Sequence, residues 1–132
     1  MAHGWLAAWG GDKVQVFSAG TRPGGVHPLS IRVMSETGVD ISGHTSDHVE
    51  QYASMPFDAV ITVCDAAAEA CPVFPGAAKV IHHAFEDPDD KTGQLKESLL
   101  LERFRRVRDE IGEWTRRWLA EQGIEPATLS DR

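Results

Sequence analysis

Only two cysteines occur in 132 residues. That is too few for a disulfide-stapled scaffold, and it fits a reducing compartment. Apolar runs are short. None approaches the roughly 20 residues that a membrane-spanning helix needs, and no basic segment followed by an apolar core opens the chain, so a cytoplasmic protein without a secretory signal is expected. Positive charge is scarce: 13 Lys and Arg face 20 Asp and Glu, for a net charge of −7. A broad nucleic-acid surface, which needs clustered cations, is excluded on that balance. Internal repeats and low-complexity stretches are absent, which argues against wholesale disorder. What is present is 42% hydrophobic and 25% charged residues, about one domain's worth, so residues 1–132 are read as a single domain. A chain of this size buries about two-thirds of the surface its unfolded form exposes.

The first nine residues, MAHGWLAAW, place Ala2, Trp5, Leu6 and Trp9 on one helical face, with Gly10 and Gly11 as the stop and no Ser, Thr, Asp or Asn cap at the start. A short strand is expected at 14–17 and a Gly/Pro-rich loop at 22–28. Pro28 then opens a helix that runs to about Thr37 with Gly38 behind it. Ser46 is placed to cap a second short helix whose first turn holds Asp47 and Glu50. The run DAVITVC at 58–64 is β-branched and almost unbroken, as a strand buried on both faces reads. An alanine-rich turn or two follows at 65–70, another strand (KVIHH) at 79–83, and an acidic loop (FEDPDDKT) at 85–92. Residues 97–121 form one long amphipathic helix with Leu100, Leu101, Phe104, Val107, Ile111, Trp114, Trp118 and Leu119 as its stripe. Gly123 ends it, and 124–132 reads as a frayed tail. Helices alternating with short strands predict a three-layer α/β domain with a mostly parallel sheet.

Cys64 ends the most apolar strand, at the edge where open α/β sheets bind ligands. Cys71 lies seven residues on. If 65–70 is helical, the two sulfurs share a face and stand about 10 Å apart along the axis, beyond the ~7 Å Cα separation a disulfide tolerates. Oxidation would then require the helix to unwind, and Pro72, Pro75 and Gly76 make its far end easy to release. The competing reading is two ordinary buried thiols. Two cysteines at this spacing form no metal motif, since a zinc site needs about four ligands. Asp87, before Pro88, is either an acidic turn residue or a general acid for a leaving oxygen, with Glu86, Asp89 and Asp90 as like charges that raise its pKa. His27, His44, His48, His82 and His83 show no partner spacing and read as loop or surface residues. Arg103, Arg105, Arg106 and Arg108, interleaved with Glu102, Asp109, Glu110 and Glu113, read as a solvated helix face.

Taken in order, VFSAGT (16–21), GVDISGHTSD (38–47), FDAVITVCDAAAEACPVFPG (57–76), FEDPDD (85–90) and FRRVRDEI (104–111) resemble a thioredoxin-coupled arsenate reductase. That family shares the fold of the low-molecular-weight protein tyrosine phosphatases. The stretch around Cys64 and Cys71 is the most specific part, because phosphatases of this fold generally lack that pair. The resemblance implies arsenate reduction to arsenite, in arsenic detoxification, by a three-cysteine relay. A first cysteine in a Cys-x5-Arg loop attacks arsenate. The position matching Cys64 attacks the adduct and releases arsenite, and the position matching Cys71 resolves the mixed disulfide. Thioredoxin reduces the Cys64–Cys71 disulfide, so no bound cofactor is implied. Asp87 matches the general acid.

The chain departs from the family in one place. It contains no Cys-x5-Arg, and the strand and anion-binding loop that precede the first helix in the family are not found ahead of MAHGW. The expectation is a family member shortened at its N-terminus by about 18 residues (an estimate from the family's layout, of the order of one strand and loop) and inactive by itself. Ser18, Thr45 and Asp47 match positions associated with a monovalent cation, whereas the acidic position on the first helix is His3 here. Without its central strand the sheet is expected to be gapped and marginally stable, or closed by a dimer. Two further readings stand beside this one: a non-catalytic thiol-redox, arsenite- or thioredoxin-binding module, and a low-molecular-weight tyrosine phosphatase relative.

Overall fold

Residues 97–121 repeat an apolar side chain every three or four positions, and they form one helix, Glu97–Glu121 (α3 below). The computed structural model describes residues 1–17, 19–20, 27–43, 47–48, 56–62, 77–83, 85, 88, 90 and 92–127. They fall into two compact units. One comprises Met1–Phe17, Val26–Thr45 and Pro88–Arg132, the other Ser18–Gly25 and Ser46–Asp87.

The first unit is helical. It holds α1 (Ala2–Gly10), a single 3-10 turn at Gly11–Lys13, α2 (Pro28–Ser35) and α3. The predicted stripe of α3 points inward: Leu101, Phe104, Val107, Ile111 and Leu119 are buried, while Leu100, Trp114 and Trp118 are half-buried. Leu101 and Phe104 pack with Val33 of α2, and Met1, Leu29 and Leu100 close the cluster. The same helix buries Gly112 and Thr115, two positions the apolar pattern did not single out. The Thr115 hydroxyl donates back to the Ile111 carbonyl at 2.7 Å, so its burial leaves no orphan.

Gly112 makes room for α1. The indole N–H of Trp5 donates to the Arg108 carbonyl at 2.9 Å and that of Trp9 to the Gly112 carbonyl at 3.1 Å. The two rings stack at 5.2 Å and 9°. Each indole, Trp5 buried and Trp9 half-buried, thus finds an acceptor for its one polar group.

Both α2 and α3 end on glycines in the left-handed region, Gly38 at φ 86° and Gly123 at φ 81°. Val39 N donates to Met34 O and Gly38 N to Ser35 O; Ile124 N donates to Leu119 O and Gly123 N to Ala120 O. This is the paired closure that a C-terminal glycine permits. The tail was expected to fray after Gly123. Its described part does not, because Ala127 N donates to the carbonyl of Trp9 at 2.7 Å and Lys13 reaches the carbonyl of Glu125 at 3.3 Å. The last carbonyls of α1 need donors from outside the helix, and the tail supplies one.

The arginine group on α3 is not a solvated face throughout. Arg105 grips Glu36 through Nε and Nη2 at 3.0 and 2.8 Å, and Arg108 reaches Glu36 at 2.9 Å and the Val33 carbonyl at 3.0 Å. The Arg108 side chain is only 12% exposed. The hydrogen bonds from Arg105, and behind them Arg108, hold the Glu36 carboxyl below its usual range. A carboxylate just past α2, invisible to a reading along α3, draws Arg108 inward, while Arg105 stays at the surface.

In the second unit, β1 (Ala19–Gly20) pairs parallel with β2 (Asp47–His48), and β3 (Val60–Thr62) pairs parallel with β4 (Val80–His82) in the register Val60↔Val80, Ile61↔Ile81, Thr62↔His82. The predicted strands at 58–64 and 79–83 are thus found over their central residues. Three expectations are corrected. Residues 14–17 are extended at their start (Val14 φ −135°, ψ 149°) and alternate in burial, yet pair with no strand among the described residues. A strand needs a neighbour as well as a pattern. Asp47 lies in a ladder, not in the first turn of a helix. A cap worth about 1 kcal/mol is a weak local signal beside strand pairing. Finally, β3 is half-buried rather than buried on both faces, and Val80 beside it is exposed.

Candidate functional site

Parallel strands bring their C-terminal ends to one edge, and in α/β folds that edge is where ligands bind. β3 delivers Thr62 to this edge and β4 delivers His82, directly across the ladder. The Thr62 hydroxyl and His82 Nδ1 are hydrogen bonded at 2.7 Å. Thr62 Oγ1 also has the Ile81 carbonyl at 3.5 Å, and the Thr62 carbonyl accepts from His83 N at 2.9 Å. The His83 ring lies edge-on to Phe85, 4.6 Å between centroids. The described framework therefore leads into both stretches that the sequence marked for chemistry. β3 stops two residues before Cys64, and β4 ends at His82, five residues before Asp87 in the sequence.

Cys64, Cys71 and Asp87 themselves lie outside the described residues, as do Ser18, Thr45 and His44. Of the positions matched to a cation site, Asp47 has its backbone placed in β2 and His3 is half-buried on α1. Among the described residues no three His, Cys, Asp or Glu side chains gather as a metal group. Among them, too, no helix is long and apolar enough to cross a membrane.

Sequence reasoning missed two organising residues. Asp90 was read only as a like charge near Asp87. Its carboxylate instead accepts four hydrogen bonds, from Thr92 Oγ1 at 2.6 Å, Thr92 N at 3.0 Å, Gln94 N at 3.0 Å and Leu95 N at 2.8 Å. These donors, the Thr92 hydroxyl foremost, pull its carboxyl down to about 2. The turn-forming Asp-x-Thr spacing was the available signal. The effect is to lock the chain three residues after Asp87 onto the approach to α3. His27, read as surface, caps α2: its Nδ1 accepts from Leu29 N at 3.0 Å, and its ring lies 4.8 Å from that of Phe104. The signal was its place immediately before a proline at the first helical position.

Residues 1–127 match the model of the low molecular weight phosphotyrosine protein phosphatase family. The arsenate reductase of Halalkalibacterium halodurans is 42% identical over 112 residues, which is 85% of this chain and 79% of that protein. The arsenate reductase of Bacillus licheniformis is 42% identical over 123 residues, 93% of this chain and 86% of that protein. Among solved structures, an arsenate reductase in its oxidized state superposes with a TM-score of 0.74 at 33% identity, covering 91% of this chain and 86% of that one. One in the reduced state gives 0.73 at 34%, with the same coverage. The α/β class with parallel strand pairing, read from the alternation of elements, is the fold of these relatives. The chain belongs to the low molecular weight phosphotyrosine protein phosphatase family, and within it to the arsenate reductases.

Proposed function

We propose that the chain supplies the resolving half of a cysteine relay that reduces arsenate to arsenite and is regenerated by thioredoxin. In this relay a first cysteine thiolate attacks arsenate, and Asp87 protonates the departing oxygen. Cys64, as thiolate, attacks the sulfur of the adduct. The As–S bond breaks, its electron pair leaves with arsenic as arsenite, and a mixed disulfide forms. Cys71 then attacks the Cys64 sulfur, freeing the first cysteine and forming the Cys64–Cys71 disulfide. A thioredoxin dithiol donates two electrons and two protons to restore both thiols. The kinship with arsenate reductases carries this reading. The two cysteines following β3, the strand in hand nearest them, agree with it.

The 132 residues contain no Cys-x5-Arg and hence no first nucleophile. By themselves they are expected to leave arsenate unreduced while still cycling the Cys64–Cys71 pair. That same feature favours a second reading, a thiol module that exchanges with thioredoxin or binds arsenite without reductase chemistry. The test has two parts. Reduced thioredoxin added to the oxidised chain should return two thiols per chain, and Cys64→Ser should return none. Arsenate added to the reduced chain with thioredoxin should cause no thioredoxin oxidation above background. Sustained turnover with arsenate would overturn the requirement for the first cysteine. An oxidised chain inert to thioredoxin would overturn the relay.

A further inference from the structure

The buried stripe of α3 has a counterpart on the opposite side of the helix. Leu99, Arg103, Arg106, Glu110, Glu113 and Arg117 follow one another at alternating steps of four and three residues, the spacing of a straight seam along a helix. The seam faces away from Leu101, Phe104, Val107 and Ile111, which are buried. Five of its residues are exposed and Arg103 is half-buried. Its charges are ordered: two arginines precede two glutamates, with residue 108 midway between the blocks. We propose that this seam pairs with the same seam of a second copy of the chain, the two α3 helices running antiparallel.

The symmetry of the pattern carries the inference. With the two-fold axis level with residue 108, position 103 of one copy faces 113 of the other, 106 faces 110, and 99 faces 117. Arg103 then meets Glu113, Arg106 meets Glu110, and the aliphatic stem of Arg117 covers Leu99, each contact made twice. A parallel pairing would set Arg103 on Arg103 and Glu110 on Glu110, like charge on like. Two features of α3 agree. Arg105, Arg106, Arg108, Arg116 and Arg117 each have a carboxylate at 2.8 to 3.9 Å, whereas Arg103 has none among the described residues. Leu99 is 48% exposed. These two residues line one groove of about 460 Å³ with Leu95, Glu102 and Arg106, and the second copy would fill it with Glu113 and Arg117. The Arg106–Glu110 pair within one chain is loose, at 3.9 Å, so both groups are available across the seam. Glu113 already holds Arg116 and Arg117; on pairing, Arg116 turns to Glu102 of the second copy. Asp109 approaches its own copy near the axis, where Arg108 neutralises it at 2.8 Å. The net charge of −7 opposes association at long range, but about 0.1 M salt screens it beyond ~10 Å and leaves contacts at the seam in force.

The test is sedimentation equilibrium of the full 132-residue chain, with its thiols kept reduced so that no disulfide links two copies. One helix seam is a small interface, so a monomer–dimer Kd of about 100 μM is expected in about 0.1 M NaCl, with the chain monomeric at low micromolar concentration. In about 1 M NaCl the dimer should be lost, because the Debye length there is only ~3 Å. Arg103→Glu should weaken association at least about tenfold, and Glu113→Arg likewise, since each reversal puts like charges in two contacts. Both positions are on the outer face of α3, and circular dichroism verifies that the variants fold. An equimolar mixture of the two variants should dimerise again, because each chain then supplies the charge the other lacks; a generic defect in either variant would not be cured by mixing. A wild-type chain that stays monomeric at about 1 mM would overturn the proposal. So would a mixture that fails to associate. A dimer that survives 1 M NaCl, or that Arg103→Glu leaves intact, uses another surface such as a strand edge, and overturns it as well.

Discussion

Replacing Gly112 by alanine sets two magnitudes against each other. In an exposed helix interior the change would add about 1 kcal/mol of stability, because alanine loses less backbone freedom than glycine. At Gly112 an added Cβ would lie 2.8 Å from Trp5 Cε2, 2.9 Å from Cζ2 and 3.2 Å from Cδ2. These are atoms of a fused ring, not the far end of a supple chain. Nor is the ring free to withdraw: its N–H is bound to the Arg108 carbonyl, its face is stacked on Trp9, and only 5% of the residue is exposed. Trp9 is itself held by the carbonyl of Gly112. Overpacking of this kind costs about 1–3 kcal/mol, and displacing the indole weakens a hydrogen bond worth about 1 kcal/mol.

The clash therefore wins, and Gly112→Ala should destabilise the helical unit by about 1–3 kcal/mol, a fall of roughly 3–10 °C in Tm followed by circular dichroism at 222 nm. The mechanism is separated from a generic core defect by a double-mutant cycle. In a Trp5→Leu background the added methyl meets a shorter side chain, so Gly112→Ala should become neutral or stabilising by up to about 1 kcal/mol, a coupling of about 2 kcal/mol. A rise in Tm for Gly112→Ala in the wild-type background would refute the argument that the α1–α3 approach is set by contact with the Trp5 ring.

How far the fold could be read along the chain follows from where each signal resides. The bounds of α3 and the Gly38 and Gly123 stops are local properties, periodicity and φ preference, and each is found where the residues place it. The positions of β3 and β4, though not their register, follow from β-branched runs. Elements that depend on a partner distant in sequence were not legible. Glu36 pairs with arginines 69 and 72 positions away, and Trp5 finds its acceptor 103 positions away. Residues 14–17 have the alternation of a strand, and no alternation specifies whether a neighbour is present. Of the site, Cys64, Cys71 and Asp87 were legible through the family resemblance alone, since the residues by themselves leaned toward two ordinary thiols and an acidic turn. Thr62 and His82 are unremarkable apart, and only the parallel register makes them a pair.

Two further perturbations probe the polar framework. Glu36→Gln should cost about 1 kcal/mol in urea unfolding, because Arg108 is nearly buried and loses its anionic partner; Glu113→Gln, which breaks exposed pairs with Arg116 and Arg117, should leave the unfolding midpoint unchanged, and equal shifts for the two variants would contradict the distinction. The Asp90 turn should respond to acid in a defined window. Its carboxyl is held at about 2 in the folded chain against about 3.9 when unfolded. The carboxylate therefore supports the turn fully above about pH 4, and that support is lost as pH falls through about 2, because protonation removes acceptor capacity the four donors share. Amide exchange at Gln94 and Leu95, corrected for its intrinsic pH dependence, should lose protection across that interval while amides in the middle of α3 hold longer. Asp90→Asn keeps one acceptor oxygen and cannot ionise, so its protection should be lower from the start and flat from pH 4 to 2. If the wild-type and Asn chains trace the same curve, the carboxylate charge does not organise the turn that follows Asp87.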